Sequence, residues 1–256
     1  MCFGAETVKC SSRLRPPPAL SASRIALLLD FDGTLIPYAG KDIIQPKVDA
    51  TLPRLLGALH AATQGATAIV SGRGALELDR LLSPVRLPIS GTHGAEIRPL
   101  PDAEVVTLFG SESLPEIIAL CQQWAMAYPG IIVEHKPITA VLHFHGRPDL
   151  EAPAQAFARH LCGEFPAFIP QFGIGSVEMK PVGADKATGI TRLMQLEAFC
   201  DRQPVFIGDD LADEVGFERV NQMGGIAIKV GKGQTVAGYH LADALQVRDW
   251  LASLLD

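Results

Sequence analysis

Short apolar runs recur along the chain at intervals that predict alternating strands and helices. Ile25-Ala26-Leu27-Leu28-Leu29 is continuous and brief, the pattern of a strand buried on both faces. Leu52, Leu55, Leu56 and Leu59 follow at helical spacing, with Pro53 tolerable only in a first turn. Thr67-Ala68-Ile69-Val70 predicts a second buried strand. Leu76, Leu78, Leu81 and Leu82 predict a helix stopped by Pro84, and residues 87–90 are strand-like. The order β-α-β-α-β predicts a parallel sheet with crossover helices.

The rhythm changes after that. Residues 105–109 read as a strand. Residues 113–126 read as a helix, with Ser113 and Glu116 at capping-box spacing. Residues 131–135 and 140–145 pair as a hairpin, 151–161 form an amphipathic helix, and strands follow near Phe168 and Val177. The parallel rhythm then returns, with helices over 186–196, 213–220 and 247–255 and strands over 205–207 and 226–230. The fold class expected is α/β, a Rossmann-like parallel-sheet core interrupted by an inserted α+β module.

Composition narrows the field. The chain has 256 residues, 48% of them hydrophobic, enough for a full core. A net charge of −6 gives no reason to expect nucleic acid or a membrane surface as partner. Cys2, Cys10, Cys121, Cys162 and Cys200 are scattered and odd in number, which predicts a reduced, cytoplasmic protein without a disulfide framework. No apolar stretch is long enough to span a bilayer. Residues 1–23, with Arg13, Arg15 and Pro16-Pro17-Pro18, read as a disordered lead-in.

The candidate chemistry sits at strand ends. Asp30-Phe31-Asp32-Gly33-Thr34 follows the first strand directly, where open α/β sheets bind ligands. A carboxylate aimed out of a rigid sheet, with a second one nearby, suits nucleophilic attack beside an acid/base. An ordinary Asp-Gly turn is the bland alternative. Gly208-Asp209-Asp210-Leu211-Ala212-Asp213-Glu214 follows another strand. So many acids repel one another unless a cation is present, and Mg²⁺ prefers oxygen ligands. An acidic first helical turn also fits Asp213 and Glu214. Ser71-Gly72-Arg73 precedes a helix and suits phosphoryl oxygens. Lys186 opens another helix against its dipole, a placement that a bound phosphate would explain, although a lone lysine there is more commonly a solvent-facing one.

In this order the four elements resemble the haloacid-dehalogenase superfamily of phosphatases. Gly91-Thr92-His93-Gly94-Ala95-Glu96, Val133-Glu134-His135-Lys136-Pro137, Val177-Glu178-Met179-Lys180-Pro181 and Val230-Gly231-Lys232-Gly233-Gln234-Thr235 extend the likeness to the trehalose-6-phosphate phosphatase family over about residues 25–255. The resemblance implies a haloacid-dehalogenase core over 24–97 and 178–256 and a cap domain over 98–177. It implies Asp30 as nucleophile and Asp32 as acid/base, with Ser71 and Lys186 on the phosphoryl oxygens. Asp30, the Asp32 backbone carbonyl, Asp209, Asp210 and Asp213 would surround Mg²⁺. Arg73, His93, Glu96, Glu134, Lys136 and Glu178 would contact substrate. The implied partner is a small sugar phosphate, with trehalose-6-phosphate synthase adjacent in the pathway.

Alternatives stay open at this stage. Glu134 and Lys136 also fit a solvated strand face, and Glu178 also fits a structural pair with Lys180. His143-Phe144-His145 departs from the family, where arginine often follows the aromatic. Ala187 and Ala212 replace a frequent glycine and threonine. A phosphatase for another sugar phosphate, of sucrose-phosphate or mannosyl-phosphoglycerate type, and a non-catalytic sugar-phosphate-binding module are the rival readings. Glu134, Lys136 and Glu178 favour trehalose over the first. Asp30, Asp32, Lys186 and Asp209, all intact, speak against the second.

Overall fold

The computed structural model describes residues 15–37, 46–110, 112–173 and 175–256. The first half builds β1 (Ile25–Leu29), α1 (Thr51–Ala62), β2 (Thr67–Val70), α2 (Ala75–Leu82) and β3 (Ile89–Gly91), then two short strands, β4 (Glu96–Arg98) and β5 (Val106–Thr107). The inserted module contributes α3 (Leu114–Ala125), β6 (Ile132–His135), β7 (Ala140–His143), α4 (Glu151–Glu164), β8 (Phe168–Gly173) and β9 (Ser176–Pro181). The chain then returns through α5 (Lys186–Leu193), β10 (Gln203–Gly208), α6 (Glu214–Gln222), β11 (Ile226–Val230), β12 (Tyr239–Leu241) and α7 (Ala244–Ala252). The larger sheet has eight strands in the order β12-β11-β10-β1-β2-β3-β4-β5, and the smaller has four in the order β6-β7-β9-β8. All pairings from β12 through β3 are parallel; β4 and β5 are antiparallel.

Strand periodicity explains the layering. All five residues of β1 are buried. Ile25, Leu27 and Leu29 point into one apolar layer with Leu52, Leu56 and Leu59 of α1 and Val247 and Leu251 of α7. Ala26 and Leu28 point to the other, with Ile190 and Leu193 of α5 and Phe217 and Val220 of α6. Central strands covered on both faces need uninterrupted apolar sequence, which is what β1, β2 and β10 carry. The module has its own core, where α3 and α4 pack on the small sheet through Ile117, Cys121, Leu142, Ala158 and Val177. Trp124 and Phe157 stack between the two helices with ring centroids 4.7 Å apart.

Several expectations change. Residues 15–23 belong to the folded protein: the Arg15 carbonyl accepts from the His240 N–H at 2.9 Å, and Leu20 packs on the core. Residues 1–14 of the expected lead-in lie outside the described residues. The module's edges shift as well, because β5 joins the larger sheet and the whole of β9 joins the smaller one. The Ser113–Glu116 capping box does not form; Ser113 already has helical backbone angles and its side chain makes no cap bond. Leu76 faces outward while Ala75, Leu78 and Leu82 carry the buried stripe of α2. Arg98, fully buried in β4, grips both oxygens of Asp79 on α2 at 2.5 and 2.6 Å and also the Leu87 carbonyl. Among the described residues no helix is long and apolar enough to cross a membrane.

Candidate active site

Parallel register brings the acidic segments together. Leu29 of β1 lies beside Ile207 of β10, so Asp30 and Asp209 leave adjacent strands at the same sheet edge. The Asp30 N–H still donates to the Ile207 carbonyl at 3.0 Å, which fixes where its side chain begins. Gly33 has φ +80°, and a Cβ there would lie 2.1 Å from Asp209 Oδ2. Only glycine combines that backbone conformation with that close approach. Thr34 Oγ1 donates to Asp209 Oδ1 at 3.3 Å, tying the turn to the second acidic segment.

Lys186 is the cation at the centre. Asp185 caps α5 by accepting from the Thr188 N–H at 2.7 Å, and this sets Lys186 at the first helical position. Its Nζ donates to Asp30 Oδ1 at 2.7 Å and to Asp213 Oδ1 at 2.6 Å, and all three residues are buried. Asp213 uses its other oxygen to accept from the N–H groups of Asp209 and Asp210 at 2.9 and 3.0 Å. Asp210 accepts from the Asp213 N–H in return, closing a reciprocal cap.

Asp30, Asp209 and Asp213 each present an oxygen within 4.8 Å of the others. Burial pushes the Asp30 carboxyl up to about 7, with Lys186 opposing and Asp209 adding to the shift. Burial likewise pushes Asp209 up to about 6, reinforced by Asp213 and Asp210. One lysine does not neutralise so many carboxylates. A hard divalent cation fits this donor set, and relief of the repulsion is the reason. Within this trio Asp213 has both oxygens hydrogen-bonded, one to Lys186 and the other to the Asp209 and Asp210 N–H groups. Asp210 uses Oδ1 as a cap and lines the cavity.

Ser71, Gly72 and Arg73 follow β2 at the same sheet edge. Ser71 is buried and lines the same cavity as Asp30, Asp32 and Lys186. Gly72 is required by contact, since a Cβ would meet His93 Nε2 at 2.6 Å. Arg73, expected on substrate, instead grips Asp32: Nε donates to Oδ2 at 2.6 Å and Nη2 to Oδ1 at 2.8 Å, while Nη1 bonds Glu77. With its side chain on Arg73, Asp32 would reach a cation only through its backbone carbonyl. Glu96 also moves from the expected role. It is buried and caps α2, accepting from the Ala75 N–H at 3.0 Å, and it does not line the cavity.

The opposite wall is the small sheet. Register sets Glu134 beside Val141, Val141 beside Glu178, and Glu178 beside Gln171, one rung facing the cavity. Glu178 is a hub: it accepts from Thr139 Oγ1 at 2.6 Å, from Lys136 Nζ at 3.3 Å, and pairs with His93 Nε2 at 3.2 Å. Burial alone would raise the Glu178 carboxyl, but Lys136 and His93 outweigh it and hold it well below the usual carboxylate range. Burial would lower Lys136, yet Glu178 and Glu134 keep it raised. Lys136 also donates to the Gly72 carbonyl at 3.0 Å, linking module to core. Glu178 thus bonds His93, Lys136 and Thr139 rather than Lys180; Lys136 is largely covered, whereas Glu134 keeps 41% of its side chain exposed.

His93 reaches this interface from a left-handed backbone, φ 53° and ψ 38°, a strain typical of functional positions. His143 pairs with Glu134 at 2.7 Å, and its ring stacks on His145 at 5.6 Å. Neither histidine joins a metal-capable group among the described residues.

Three contributors were not singled out from sequence. Glu77 lies four residues after Arg73 at a helix start, a spacing that does carry a signal. Lys229 is a lone charge inside the apolar strand β11, and its Nζ bonds the Asp209 carbonyl. Thr139 gives no signal before the sheet is built.

A sequence profile of the trehalose-phosphatase family matches residues 28–244. The chain is 35% identical over 241 residues to a trehalose-6-phosphate phosphatase of Escherichia coli, covering 93% of this chain and 89% of that relative. It is 34% identical over 214 residues to a probable trehalose-phosphate phosphatase of Sinorhizobium fredii, covering 80% and 77%. A solved structure of a trehalose-6-phosphate phosphatase related protein superposes with a TM-score of 0.73 at 26% identity, covering 89% of this chain and 95% of that one.

Proposed function

The chain belongs to the trehalose-phosphatase family, and from that premise we propose that it hydrolyses trehalose 6-phosphate to trehalose and phosphate through an aspartyl-phosphate, with Mg²⁺ as cofactor. The observation that carries this reading is Asp30, buried at a strand end, held by Lys186 and set beside Asp209.

In the first step an Asp30 oxygen forms a bond to phosphorus as the phosphorus–sugar oxygen bond breaks. The electron pair stays on the sugar oxygen, which takes a proton from Asp32. In the second step water attacks phosphorus and gives a proton to Asp32, and the bond to Asp30 breaks with its electron pair returning to the carboxylate. Lys186 and Ser71 hold the phosphoryl oxygens, since phosphoryl transfer depends on positioning and charge neutralisation. Asp30 and Asp209, with the Asp32 carbonyl, would hold Mg²⁺, and Asp210 and Asp213 fix that frame. When bound, the ion supplies the positive charge that offsets repulsion between carboxylate and phosphate.

The module acts as the cap over the sugar. Glu178, which is buried, and the part-buried Glu134 and Lys136 offer charged groups to hydroxyls, and a site of this kind rejects ligands that leave it unpaired. His93 sits at the seam. The synthase that makes the phosphorylated disaccharide is the expected pathway partner. A cytoplasmic location is part of the reading, supported by Cys121, Cys162 and Cys200, which are free thiols.

The test is phosphate release across a sugar-phosphate panel, with and without Mg²⁺. Trehalose 6-phosphate should be preferred and chelation should abolish turnover. Preference for a sucrose or mannosyl-phosphoglycerate phosphate would overturn the substrate, and no turnover of any would leave a binding module. Asp30→Asn should remove activity while the fold persists.

A further inference from the structure

Arg73 lines the cavity next to Asp32. It is buried, and its fork closes on both oxygens of Asp32 at 2.6 and 2.8 Å. The backbone beneath it is pinned: the Arg73 N–H donates to Ser71 Oγ at 3.1 Å, and the Thr92 N–H donates to the Arg73 carbonyl at 3.0 Å. Glu77, four residues on in α2, takes the remaining Nη1. The guanidinium also lies 6.0 Å from the centroid of the Phe31 ring. Among the described residues the two contacts from Arg73 are the bonds to the Asp32 side chain, and neither Lys186 nor the acidic trio contributes one.

We propose that Arg73 is a positioning residue for proton transfer: its fork, steadied by Glu77, sets the Asp32 carboxyl for the leaving sugar oxygen and the incoming water. The inference rests on the reading of Asp32 as acid/base. A carboxyl group swivels freely about its Cβ–Cγ bond, and a two-point contact with a planar fork stops that swivel. A lysine keeps the charge but not the fork. The Ser-Gly-Arg turn then serves both halves of the chemistry, Ser71 on the phosphoryl group and Arg73 on the proton carrier. Glu77, bonded to Nη1, steadies Arg73 at the cavity wall.

Leaving-group chemistry separates this from a direct substrate contact. A sugar alkoxide needs a proton as it departs, whereas p-nitrophenolate leaves with its electron pair and no proton. The experiment compares wild type, Arg73→Met and Asp32→Asn on two reactions. One is steady-state turnover of trehalose 6-phosphate. The other is single-turnover release of p-nitrophenolate from p-nitrophenyl phosphate with enzyme in excess.

Arg73→Met should lower kcat on the sugar phosphate about 100-fold, the range for loss of acid–base assistance. Its loss on nitrophenolate release should be at least tenfold smaller, and KM should move less than threefold. Equal losses on both reactions, or a raised KM with kcat kept, would overturn the proposal and return Arg73 to phosphate or sugar binding. Asp32→Asn showing the split while Arg73→Met does not would overturn the proposal alone. If Asp32→Asn also loses both reactions equally, the acid/base reading of Asp32 falls too. Should Arg73→Met fail to fold, Arg73→Lys must show the same split, about tenfold on kcat, and full activity on the sugar phosphate would refute the fork.

Discussion

Replacing Gly33 by alanine adds one methyl group and strikes the site at its narrowest point. The new carbon would lie 2.1 Å from Asp209 Oδ2, 2.4 Å from Cγ and 2.7 Å from Oδ1, where ordinary contact begins near 3.4 Å. Either Asp209 or the Asp30–Thr34 turn must move by roughly 1 Å, a misplacement that costs about 100-fold in rate when it falls on reacting groups. The backbone contributes separately. At φ +80° an L-residue costs about 1–2 kcal/mol, which in a domain of this size lowers Tm by about 2–8 °C. The assay measures phosphate release from trehalose 6-phosphate at saturating substrate and Mg²⁺, with a thermal melt of the same sample. Gly33→Ala should melt as a folded protein, slightly early, and turn over about 100-fold slower. A variant that shows the expected melting shift and keeps kcat within threefold of wild type would refute the claim that this contact positions Asp209.

Two further outcomes follow from the charges. Asp30 and Asp209 titrate at about 7 and about 6, above the ordinary 3.8, so the folded protein holds protons that the unfolded chain has released. In chelator their contribution to stability is full below about pH 4 and is lost as pH rises through about 7. Melting of wild type should therefore fall more steeply between pH 5 and pH 8 than that of Asp30→Asn, and Mg²⁺ at pH 8 should raise the wild-type Tm most; parallel profiles would contradict this. Asp79→Ala leaves Arg98 buried with only the Leu87 carbonyl, and should cost about 3–5 kcal/mol in denaturant unfolding without changing KM. A loss under 1 kcal/mol would mean water reaches the guanidinium.

The catalytic edge was legible because it breaks pattern. Aspartates directly after five apolar residues, and an acidic cluster after another strand, are harder to explain together by a turn and a helix start than by a site, and the parallel order brings them to one edge. Lys186 was legible for the same reason, a cation where a helix dipole disfavours it. The role of Arg73 was not, since its partner lies 41 residues away and is chosen by tertiary geometry. Glu96 carried the family pattern but was taken by the open end of α2. Strands β4 and β12 have three residues each, too few to show a period. Ser113 had capping spacing, yet its backbone had already entered the helix.

Lys136 keeps a foot in each half of the protein, one contact to the Gly72 carbonyl and another to Glu178. An ammonium has three N–H donors, and the longest of its contacts here, 3.4 Å to Glu178 Oε2, is the one a ligand would replace at least cost. Removing this one side chain would loosen the module from the core and at the same time strip a donor from the cavity wall.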